Sequence, residues 1–125
     1  MDDRERHEKG MKIRREVLGN AHVDKATDTA KDFTAPFQDF ITRYAWGEIW
    51  ARPGLSRHTR SLLTLGMTVA LNREEEFRLH LRAALNNGVT REEIQEVLLH
   101  SAIYCGVPAA NRAFKIAAEI FENST

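Results

Sequence analysis

Ten consecutive residues, Leu62-Leu63-Thr64-Leu65-Gly66-Met67-Thr68-Val69-Ala70-Leu71, carry no charge on any side. Ser56 can cap a helix that runs through them to about Leu71. A helix that is apolar all round must bury more than one face. It is either a core helix or one covered partly by another subunit. The charge-free runs Ser61–Asn72 and Val97–Asn111 both fall short of the roughly 20 apolar residues that a membrane span needs.

The rest of the chain reads as helical too. No run shows the two-residue alternation of β-branched and aromatic residues that marks strands. A first helix is predicted over His7–Leu18, ended by Gly19-Asn20. Val23–Lys31 reads as a short helix or a loop. Thr34 and Pro36 start a helix from Phe37, with Phe37, Phe40, Ile41 and Tyr44 on one face. Arg52-Pro53-Gly54 breaks the chain. Asn72 with Glu75, and Thr90 with Glu93, fit the pattern of a capping side chain followed three residues later by Glu. They predict helices from about Arg73 and Arg91. Gly88 and Gly106 end these two, and Pro108 sits in the first turn of a last helix reaching Phe121. The expectation is a single all-α domain of about six helices, with residues 1–32 as a helical arm and 33–125 as the core.

Composition narrows the partners. The 125 residues hold 18 basic and 18 acidic side chains. Zero formal charge argues against a general grip on nucleic acid or an anionic membrane. The lone cysteine, Cys105, forms no internal disulfide, and the charged N-terminus MDDRERHEKGMKIRRE has no apolar signal core. A cytoplasmic setting is the default expectation.

His80 is the leading acid/base candidate. It lies in Phe77-Arg78-Leu79-His80-Leu81-Arg82-Ala83-Ala84-Leu85 and shares a side with Phe77 and Ala84, at the edge of the apolar stripe. A histidine there can donate a proton or bind an anion. It can equally be a hydrogen-bonded core-edge residue, and spacing alone favours that plainer role. Glu48 stands between Trp46 and Trp50. Two tryptophans could wall it from water and raise its pKa; a surface glutamate beside packing aromatics is the plainer reading. Arg57, His58 and Arg60 open the apolar helix, where cations oppose the helix dipole and suit a small anionic ligand. Tyr104 is either core or a hydroxyl donor to a pocket, and Cys105 an inert thiol. No phosphate loop, paired metal-ligand spacing or serine nucleophile turn is present.

These residues carry a resemblance. Gly10-Met11 through Val17-Leu18-Gly19, Trp46-Gly47-Glu48-Ile49-Trp50 with Arg52-Pro53-Gly54-Leu55, Thr59-Arg60-Ser61-Leu62, His80-Leu81-Arg82-Ala83-Ala84-Leu85-Asn86-Asn87-Gly88-Val89-Thr90, and Tyr104 with Gly106-Val107-Pro108-Ala109-Ala110-Asn111 resemble the carboxymuconolactone decarboxylase family. That family shares an all-α fold with the alkylhydroperoxidase D-like proteins. The peroxidase branch carries a Cys-x-x-Cys pair upstream of the histidine that His80 resembles. Arg73 and Glu76 stand at those positions here, and Ser61 stands where that branch has a glutamate after an arginine. Without thiols, peroxide reduction cannot run.

The resemblance implies loss of CO2 from 4-carboxymuconolactone, giving 3-oxoadipate enol-lactone in protocatechuate breakdown. It implies no cofactor and no metal. It implies His80 and Glu48 as the catalytic pair, and Arg60, Arg57, Trp46 and Tyr104 around a small lactone dicarboxylate. Homo-oligomers are expected, hexamers being typical. The alternatives are a related lactone lyase or isomerase, and a non-catalytic helical oligomer or adaptor.

Overall fold

Capping chemistry decides where these helices begin and end. A computed structural model describes residues 1–29 and 31–123. Its helices are α1 (Asp3–Leu18), α2 (Asn20–Asp28), α3 (Ala35–Ile41), α4 (Arg57–Ala70), α5 (Glu74–Asn86), α6 (Arg91–Tyr104) and α7 (Val107–Asn123). A π-helical segment, Thr42–Trp50, continues α3 directly. The fold is all-α, as the periodicity predicts. Among the described residues the helices number seven, since Asn20–Asp28, readable as helix or loop, is helical. No helix among the described residues is long and apolar enough to cross a membrane.

The chain divides into two compact units, Met1–Arg57 and His58–Thr125. In the first, α1 starts earlier than predicted because the Asp2 side chain accepts from the Glu5 N–H at 2.8 Å. Arg6, Gly10 and Arg14 repeat every four residues and so share one face of α1. Gly10 lies against the Thr42 carbonyl and the Gly47 N–H, and Gly47 against the Arg6 carbonyl. The backbones of α1 and the π segment therefore touch where neither residue has a side chain. Arg14 reaches the same junction, donating to Thr42 Oγ1 at 3.1 Å and to Gln38 Oε1 at 2.9 Å. The Thr42 hydroxyl donates to the Gln38 carbonyl at 2.8 Å, at the change from α to π. The predicted apolar face of α3 is not a buried one: Phe37 and Phe40 are 60% and 52% exposed.

In the second unit Leu65, Val69, Phe77, Leu81, Ile94, Leu98, Ile116 and Ile120 form one buried cluster. The apolar run in α4 splits between two environments. Ser61, Leu65 and Val69 are buried, while Leu63, Met67 and Leu71 face outward. Asn72 is not a cap for α5, whose N-terminal Arg73 makes no side-chain capping bond. Asn72 instead adopts φ +57° and closes α4. The Arg73 N–H donates to the Thr68 carbonyl at 2.9 Å and the Asn72 N–H to the Val69 carbonyl at 3.2 Å. That pair of bonds is the Schellman arrangement, and asparagine tolerates the left-handed conformation it needs. Gly88, at φ +86°, ends α5 in the same way.

Thr90 and Glu93 form the predicted capping box, at 3.1 and 2.9 Å. His58 Nε2 also lies 2.8 Å from Glu93 Oε2. The hydrogen bond from the Thr90 backbone, then that from His58, holds the Glu93 carboxyl below its ordinary pKa. A depressed carboxylate stabilises the fold above its unfolded pKa and loses that contribution as pH falls through the folded value. Glu93→Ala should therefore lower the melting temperature at neutral pH, and the gap from the wild type should narrow in acid. A gap independent of pH would contradict this linkage.

Candidate functional site

The sequence candidates fall in both units, and the surroundings of each follow from its own element. In the first unit, Glu48 occupies the π segment, a helix form often found at functional sites. Trp46 and Trp50, four residues apart, stack with centroids 5.0 Å apart. Glu48 lies between them in sequence, and its carboxylate is engaged in ion pairs. Arg6 Nε is 3.3 Å from Oε2, and Arg52 Nη1 is 4.0 Å from Oε1. The carboxylate is thus held by two arginines as well as flanked in sequence by the tryptophans. Arg6 is itself anchored by Asp3 at 2.9 Å and lies over the Tyr44 ring. A carboxylate oriented by two arginines is placed as a hydrogen-bond acceptor.

Trp46 is buried, at 6% exposure. Trp50 rather than Trp46 lines a recess of about 480 Å³, together with Lys9, Lys12, Arg52 and Arg57. Arg57 is the first residue of α4 and pairs with Glu16 at 3.0 Å. It sits among the other cations of that recess.

In the second unit, Arg60 lies one turn into α4, half-buried, with its Nε shielded from solvent. His80 is near the middle of α5. Phe77 and Ala84 on its side of the helix are buried, and His80 itself is half-buried with Nδ1 shielded. The core-edge position read from spacing is the one it occupies. Tyr104 ends α6 and is 78% exposed, its ring 4.9 Å from that of His100. It lines no pocket of this unit among those described. Cys105 is half-buried against the apolar cluster. No group of three or more His, Cys, Asp or Glu among the described residues could hold a metal ion.

Sequence reading missed Arg6, which comes from 42 positions away and leaves no local signal. Arg52 could have been found, since it stands four residues after Glu48, the spacing at which helical side chains meet. Lys9 and Lys12 could have been found too, by reading them with Glu16 as one face of α1.

Comparison with known proteins gives these residues a context. Residues 35–119 match the carboxymuconolactone decarboxylase family. The chain is 50% identical over 123 residues to 4-carboxymuconolactone decarboxylase of Acinetobacter baylyi, across 98% of this chain and 92% of that protein. It is 49% identical over 106 residues to nitrosuccinic acid decarboxylase of Metarhizium robertsii, across 85% of this chain and 74% of that protein. A 4-carboxymuconolactone decarboxylase of Pseudomonas putida is 48% identical over 48 residues, 38% of this chain and all of that sequence. With its seven helices and a match through most of its length, the chain belongs to the carboxymuconolactone decarboxylase family and has the all-α, alkylhydroperoxidase D-like fold.

Proposed function

We propose that this protein, acting as one domain over its whole length in the cytoplasm, removes CO2 from 4-carboxymuconolactone during protocatechuate breakdown. The observation that carries this reading is the similarity to the Acinetobacter enzyme along nearly all of both chains. The chemistry needs no cofactor. The departing carboxylate sits on a ring carbon conjugated through C=C to the lactone carbonyl. When its C–C bond breaks, the electron pair forms a new ring C=C. The old C=C electrons shift toward the carbonyl carbon, and the carbonyl oxygen takes the negative charge. One proton then adds to the ring carbon beside the carbonyl, giving 3-oxoadipate enol-lactone.

The protein must hold a dianion, stabilise the oxyanion and deliver that proton. In this reading His80 donates the hydrogen bond or proton at the lactone end, with Glu48 as its partner. Arg60 and Arg57 bind the acetate carboxylate. Trp46, with Trp50 stacked on it, supports the wall, and Tyr104 completes the pocket in the assembled protein.

Nitrosuccinate is the second reading, favoured by the Metarhizium relative. It too is a dicarboxylate, and loss of CO2 from its nitro-bearing carbon leaves the electrons on the nitro group. Initial rates on both compounds decide between them. The lactone should give the higher kcat/KM by about tenfold or more, an energy difference of roughly 1.4 kcal/mol. The reverse order would move the assignment to nitrosuccinate.

A homo-oligomer, in hexameric form, completes the reading. An apolar groove of about 980 Å³ between α4 and α6 is lined by Leu62, Leu63, Met67, Val97 and Leu99. Leu71, just past the end of α4, and Ile103, on α6, are well-exposed apolar residues too. Contiguous apolar surface of this kind marks an interface. Light scattering should return the mass of six copies, and a monomeric mass at micromolar concentration would contradict it.

A further inference from the structure

The recess on the Met1–Arg57 unit collects positive charge. Its volume of about 480 Å³ is in the range of small-molecule sites. Four cations line it, Lys9, Lys12, Arg52 and Arg57, against one carboxylate, Glu16. Glu16 is engaged by Arg57 at 3.0 Å. Neither lysine has an ion-pair partner among the described residues. The other cations of α1 have partners: Arg4 with Glu8, Arg6 with Asp3 and Glu48, Arg15 with Asp24, and Arg14 with the neutral Thr42 and Gln38. Lys9, Lys12 and Glu16 follow helical spacing and present one face of α1 to the recess.

Like charges gathered around a concave surface raise its potential and draw anions. Trp50, fixed by its stack on Trp46, adds a flat apolar wall. Arg52 links the recess to Glu48, 4.0 Å away. A single carboxylate would leave most of this charge unmatched, whereas a dicarboxylate with a planar body matches both the charge and the wall.

We propose that this recess is a dicarboxylate-binding site, in which Lys9 and Lys12 select the doubly charged ligand and Trp50 packs on its flat body. The ligand class rests on the decarboxylase reading. On that reading the recess holds the substrate's carboxylate end beside Glu48, with Lys12 as a specificity residue rather than a participant in bond breaking.

Calorimetric titration of the full chain with adipate, which cannot react, tests the site directly. Wild-type protein should bind adipate, and acetate much more weakly. Lys12→Met should weaken adipate by about tenfold. Lys12→Arg should restore binding, and Lys25→Met, on α2 outside the recess, should bind as the wild type does. In turnover, Lys12→Met should raise KM by about the same factor with kcat little changed. No binding of adipate by the wild type, or equal binding by Lys12→Met, would overturn the proposal. Adipate binding that depends on Lys12 in a protein that decarboxylates neither substrate would retain the recess and reject the decarboxylase reading. Turnover with a KM insensitive to Lys12 would do the opposite.

Discussion

His80→Ala should lower kcat by a factor of about a hundred to ten thousand, the contribution of a positioned acid or base. KM should change little, since the proposed mechanism gives the acetate carboxylate to arginines and not to the imidazole. The variant remains folded. Alanine is the strongest helix former, and His80 is only half-buried. Circular dichroism should therefore match the wild type while ultraviolet absorbance shows the lactone persisting. Glu48→Gln tests the other half of the pair. It keeps the shape but removes the charge that Arg6 and Arg52 hold in place. Near-wild-type turnover by folded His80→Ala would remove the histidine from the chemistry.

The largest effect on stability falls at Gly10 and Gly47. A Cβ at Gly10 would lie on the Thr42 carbonyl oxygen, and one at Gly47 on the Arg6 carbonyl oxygen. Both neighbours are backbone and cannot rotate away, so α1 and the π segment must separate. Either Ala substitution should cost about 3 kcal/mol, the upper part of the overpacking range. The melting temperature should fall by roughly 10 °C. Activity suffers further than stability implies, because Arg6 leaves Glu48 when the two elements part. Gly54→Ala is the control, with nothing within 4 Å of the added carbon. A Gly47→Ala protein with unchanged melting and turnover would show that the close approach does not position Glu48.

Local chemistry made much of the fold legible. Thr90 with Glu93, Gly88, Gly106 and Pro108 each act through neighbours a few residues away, and each stands where sequence reading put it. Asn72 shows the limit of such reading. Asparagine serves both as an N-cap and as a left-handed helix terminator, and Asn-x-x-Glu does not say which. The π segment was invisible because its cause is distant. Arg14 ties Thr42 and Gln38 from 28 and 24 positions away, and two glycines admit α1 beside them.

The candidate site divides along the same line. His80 was readable as a core-edge residue because its own helix sets its environment. Glu48 was readable as a residue but not as an ion pair, since Arg6 arrives through tertiary packing. Trp46 and Trp50 stand on either side of Glu48 in sequence, yet they stack on each other. Periodicity also could not separate the two fates of the α4 apolar face, because burial in a core and burial by another copy demand the same residues.

Turnover of 4-carboxymuconolactone in D2O, by protein stripped of metal with a chelator, is the most direct measurement. One CO2 should leave per lactone consumed, and the enol-lactone should carry one deuteron on the ring carbon beside the carbonyl. No release of CO2, or release only after a metal ion or organic cofactor is added, would contradict a reaction in which the substrate is its own electron sink.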